Sequence, residues 1–85
     1  MKFDYQDLIQ NGFKREDCND QVFYEQYGFQ YFILSKQLNN HWSFDWDVNT
    51  NKLRLIKVDE SKSITYQKYV DSQAEFDFIQ ELLIN

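Results

Sequence analysis

The chain contains no proline, two glycines, one cysteine and one histidine in 85 residues. Each shortage removes a class of chemistry. With only Gly12 and Gly28 available, there is no glycine-rich loop to cradle a phosphate. Cys18 stands alone, so no internal disulfide can form, which suits a reducing compartment. It also lies among Glu16, Asp17 and Asp20, which oppose the thiolate that a nucleophile needs. His41 without a second histidine or cysteine is too thin a ligand set for structural zinc. No apolar run approaches the ~20 residues that cross a bilayer. The start, "MKFDYQDLIQ", lacks the unbroken apolar segment of a signal peptide. These absences lead to the expectation of a soluble cytoplasmic protein that is not an enzyme and uses no cofactor or metal.

What the chain does have is aromatic bulk: eight Phe, six Tyr and two Trp. A short chain buries a modest fraction of its surface, and large rings bury the most area per residue. That content excludes disorder. Without a repeat or linker, residues 1–85 read as one compact domain. Fourteen acidic against nine basic residues give a net charge of −5. Nucleic-acid binders draw affinity from phosphate contacts, so free nucleic acid is not expected as a partner. A basic protein surface fits better.

Along the chain, Asp4 caps a helix over "YQDLIQN" and Gly12 ends it, folding Phe13 back on Leu8. "FKRED" reads as a short strand and "CNDQ" as a turn. The aromatic and β-branched segment "QVFYEQYGFQYFIL" predicts a hairpin turning at Tyr27-Gly28, with 22–26 against 29–33 and Tyr24 opposite Tyr31. An unbroken strand bulged at Gly28 is the rival reading. In "WSFDWDV" the period is two: Trp42, Phe44, Trp46 and Val48 share one face, Ser43, Asp45 and Asp47 the other. A turn at "NTNK" pairs Val48 with Leu53, Trp46 with Leu55 and Asp47 with Arg54. "DESK" turns again, and "SITYQKYV" is the last strand. Ser72 and Glu75 then stand in capping-box spacing before a helix with Phe76, Ile79, Leu82 and Leu83 on one face. The fold expected is α+β: an antiparallel meander sheet of five or six strands, with a short N-terminal helix and a C-terminal helix on one face.

Candidate sites are few. Asp45 and Asp47 project together, but Asp47 has Arg54 as a partner, and with His41 they make a poor metal set. Acid pairs such as Asp59-Glu60 are inevitable among fourteen acids and do not by themselves indicate glycoside chemistry. "GFQYF" echoes an aromatic strand that stacks single-stranded bases, yet lacks the basic residue and second glycine expected before it. The charge map is more informative. Residues 71–85 carry Asp71, Glu75, Asp77 and Glu81 and no Lys or Arg. Asp77 and Glu81 are like charges at i, i+4, which oppose the helix slightly. They suggest an acidic docking face for a basic partner, with Asp45 and Asp47 as the second surface.

The combination of "DLIQNGFKR", an aromatic strand-rich middle and "EFDFIQELL" resembles small proteins encoded by bacteriophages and mobile elements. Some of these inhibit host defence nucleases, including RNA-guided ones, in the manner of anti-CRISPR proteins. The resemblance implies a small non-catalytic inhibitor and carries no functional residue over. Two other functions are carried beside it: a single-stranded nucleic-acid binder using an aromatic sheet, and a self-associating accessory protein, for which a homodimer is expected.

Overall fold

In the computed structural model, which describes residues 3–84, the first helix forms where its caps place it. The Asp4 carboxylate accepts from Gln6 N at 2.9 Å to open α1, Tyr5–Gln10. Gly12, at φ 92°, ends it, and Phe13 N donates back to Leu8 O at 3.0 Å. β1, Lys14–Asp17, follows.

The next segment departs from expectation. Residues Gln21–Tyr27 are a helix, α2, rather than the first arm of a hairpin, so Tyr24 does not face Tyr31 across a ladder. Local capping overrides the β propensity of its aromatics. Asp20 accepts from Phe23 N at 3.0 Å, and Gly28 takes the left-handed conformation at φ 80°. Gly28 is thus a helix cap, neither a hairpin turn nor a bulge. Phe23 and Tyr27, one turn apart, put their ring centroids 4.5 Å from each other.

Four strands complete the sheet: β2 Phe32–Gln37, β3 Trp42–Asp47, β4 Lys52–Val58 and β5 Ile64–Val70. All neighbours pair antiparallel in the order β1-β2-β3-β4-β5. The β3–β4 register differs from the sequence reading. Trp46 faces Leu53, Phe44 faces Leu55, and Arg54 faces Asp45 rather than Asp47. The cause is the turn. Asp47 accepts from Asn49 N at 2.7 Å, and Asn51 adopts φ 56°, so the loop occupies 48–51 instead of 49–52. Because the partner shifts by two positions, every side chain keeps its face.

One face of the sheet carries Phe32, Leu34, Phe44, Trp46, Leu53, Leu55 and Val70, all buried. α1, Phe13 and the C-terminal helix α3, Gln73–Leu83, cover it. Ser72 Oγ accepts from Glu75 N at 3.1 Å, as the capping-box spacing predicts. Phe76 and Ile79 of α3 are buried and Leu83 packs at the margin, but Leu82 is 65% exposed. Leu82 lies off the stripe set by 76, 79 and 83, so it does not belong to the core face. The architecture is α+β, a five-stranded antiparallel sheet flanked by short helices near the termini, with α2 inserted between β1 and β2.

Two expected outcomes follow from this packing. Trp46 is 5% exposed and its indole N–H donates to Asn51 Oδ1 at 2.9 Å, pinning the left-handed turn residue. Trp46→Ala should therefore destabilise the protein by about 3–5 kcal/mol in chemical denaturation. The second concerns acid. Hydrogen bonds from Ser61, first its hydroxyl, hold the Asp59 carboxyl below the usual range, and Lys68 does the same for Glu75. A depressed folded-state pKa adds stability above the unfolded carboxylate pKa, which is lost as pH falls through the folded value. Melting temperature should fall on acidification below about pH 4, and Asp59→Asn should flatten that acid limb.

Candidate protein-docking surfaces

The alternation of β3 separates its rings from its acids. Phe44 and Trp46 turn into the helix-covered core, while Asp45 and Asp47 turn to the opposite, open face. There Asp45 takes a two-pronged bond from Arg54, Nε at 3.1 Å and Nη2 at 2.7 Å. Gln67 Oε1 accepts from the remaining arm of the guanidinium at 2.6 Å. Asp47 accepts from the Tyr31 hydroxyl and caps the 48–51 turn. Burial, with the bond to Asp47 second, pushes the Tyr31 phenol well above its ordinary value, so it stays a donor at physiological pH. A hollow of about 260 Å³ lies between Tyr31, Asp45, Asp47, Lys52, Arg54 and Tyr69. Asp45, Asp47 and Arg54 thus already have partners, and the Lys52 ammonium lies 5.2 Å from the Tyr69 ring centre.

Tyr31 also connects this face to α2. Phe23, 8% exposed, meets Tyr31 edge-on at 5.0 Å and Phe29 at 5.3 Å, a small cluster apart from the main core. The rings of "GFQYF" are therefore shared between that cluster and, through Phe32, the core. Burial, then Glu16 and Asp17, raise the Cys18 thiol above its usual pKa, which agrees with an unreactive side chain. His41, at the other end of β3, has Nδ1 3.3 Å from Val58 O. Among the described residues, no three His, Cys, Asp or Glu side chains gather as a metal site.

The second acidic pair stands on the other side of the molecule, because α3 packs on the core face through Phe76, 5.0 Å from Phe44. The four acids singled out in the sequence thus form two surfaces. Asp77 is exposed and accepts from Gln73 at 2.9 Å, one turn earlier. Glu81 is exposed beside Phe78 and Leu82, and these three line a shallow hollow of about 260 Å³. Phe78 is 63% exposed. The sequence reading missed both apolar members, assigning Leu82 to the core and giving Phe78 no role. Phe78 stands two residues from Phe76, on the opposite side of a helix, and that spacing was the available signal. No family model matches the chain, nor does any curated protein or solved structure.

Asp45 serves as a test of which surface has charge to offer. With Asp45 and Arg54 only 20% and 30% exposed, Arg54→Met should leave the carboxylate half-buried and unpaired, at a cost of about 1–3 kcal/mol. Urea denaturation of the variant measures it. An unchanged midpoint would mean that Asp45 is not committed to Arg54 and is available to a partner.

Proposed function

We propose that the chain is a non-catalytic protein-binding module that docks a basic partner through the outer face of α3. The exposure of Phe78 and Leu82, one turn apart and flanked by Asp77 and Glu81, carries this reading. Exposed single apolar residues are ordinary, but a pair beside like charges that oppose their own helix has a use in binding that it lacks in folding. The rings and methyls would anchor, and the acids would steer encounter. Residues 71–85 hold four acids and no base, so the matching surface is basic with an apolar pocket at its centre. Such basic surfaces occur on enzymes that handle nucleic acid. The resemblance to phage-encoded proteins supports one form of the reading: an inhibitor of a host defence nuclease, possessing protein or ribonucleoprotein as its target and acting in the cytoplasm.

Immobilised protein should retain such a partner from host lysate, and Phe78→Asp with Leu82→Asp should release it. With the retained partner purified, Asp77→Lys with Glu81→Lys should slow association in stopped flow, by less as salt rises. Equal association rates for folded wild type and variant would remove α3 from the interface.

A further inference from the structure

The two edges of the sheet differ in kind. β1 is four residues long and wholly charged, Lys-Arg-Glu-Asp, with Arg15 paired to Asp17 at 3.0 Å. Short, charged strands are how sheets protect an edge. β5 has seven residues, "ITYQKYV", with one charge, and six of the seven are exposed. Ile64, Tyr66 and Tyr69 are 51%, 46% and 55% exposed. An edge of this length and β propensity is a template for another strand.

From Tyr66 to Val70, short of the bulge where Val58 pairs with Ile64 and Thr65 is the extra residue, its free hydrogen-bonding groups can be assigned by alternation. Val58 N donates to His41 O at 2.8 Å, so Val58, Ile56 and Arg54 turn their backbone toward β3. Leu53, Leu55 and Lys57 then turn theirs toward β5, where they meet Val70, Lys68 and Tyr66. The N–H and C=O of Gln67 and Tyr69 are left pointing outward.

We infer that this edge pairs with the same strand of a second copy, antiparallel about a two-fold axis at Gln67. That register runs over Ile64–Val70 of both copies, with the irregularity of β5 at Thr65 falling near each end of the shared ladder. It keeps each face of one sheet continuous with the same face of the other. It sets Tyr66 opposite Lys68 of the second copy, and Thr65 opposite Tyr69, each pair occurring twice. It also brings Asp71 of one copy level with Ser63 of the other, beside the exposed Lys62, so opposite charges meet at both ends of the ladder. Each copy carries −5 overall, and this long-range repulsion makes pairing stronger as salt screens it. Glu75 of α3 binds Lys68 of β5 at 2.7 Å, so the edge and that flank of α3 are neighbours. The inference rests on the backbone pairing of β5 and not on the docking role of α3.

Sedimentation velocity of the full chain, over a wide concentration range at low salt and at about 0.5 M NaCl, reads the equilibrium. The expected result is a monomer–dimer equilibrium between 10.5 kDa and twice that mass, shifted to dimer at high salt. Gln67→Pro removes an outward N–H that an edge strand can spare, and should give a folded monomer. A cross-link tests the register should that variant not fold. In a Cys18→Ser background, Gln67→Cys should form a disulfide-linked dimer, since hydrogen-bonded antiparallel partners lie about 5.5 Å apart at Cα. Thr65→Cys should not, because it faces Tyr69. A chain monomeric at every concentration overturns the inference and leaves the edge to an extended peptide. A dimer that fails to cross-link through Gln67→Cys overturns it as well.

Discussion

Three rings hold the structure in register. Phe44, at the centre of the sheet, stacks on Phe13 at 6.0 Å and on Phe76 at 5.0 Å, and Phe13 and Phe76 are themselves 6.1 Å apart. These residues come from the loop after α1, the middle strand and the C-terminal helix. Each such pair adds about 0.5–1.5 kcal/mol beyond the area it buries. A small domain has little core to spare, so this contact decides which sheet face is covered and which remains open. The acids of β3 lie on the open side because Phe44 lies on the closed one.

The parts of the fold legible in the sequence were those set by local rules that did not compete. Asp4 and Gly12 bracket α1, Ser72 opens α3, and the period of two in "WSFDWDV" places its rings and acids on their observed faces. α2 was obscured because two signals conflict there. Aromatic and β-branched residues argue for a strand, and Asp20 with Gly28 argues for a helix; the caps prevail. The β3–β4 register was half legible. Hydrophobic alternation specifies parity but not a shift of two, which the Asp47 side chain settles by closing the turn one residue early.

Of the acidic surfaces, charge was legible and commitment was not. Asp45 and Asp47 look alike in sequence to Asp77 and Glu81, yet the first pair spends its hydrogen-bonding capacity on Arg54, Tyr31 and a turn. Those partners lie on other strands and are fixed only when the sheet forms. The lysines show the same dependence. Lys36, on the covered face, reaches Gln80 of α3 at 2.5 Å, while its stem lies 3.8 Å from where a Cβ on Gly12 would stand. Burial lowers its pKa, so a residue that reads as surface charge is part of how α3 is seated.

The meander has a kinetic meaning. Strands adjacent in sequence are adjacent in the sheet, and the β2–β3, β3–β4 and β4–β5 ladders close across short connections, while β1–β2 closes across α2. Such closures cost little chain entropy, and topologies dominated by them fold quickly for β proteins. The seating of α3, where Phe76 meets Phe3 and Phe13 over Phe44, joins segments from opposite ends of the chain. Folding is then expected to zip outward from the β3–β4 hairpin, with α3 arriving last; low φ-values at Phe76 beside high ones at Trp46 and Leu53 would be its signature.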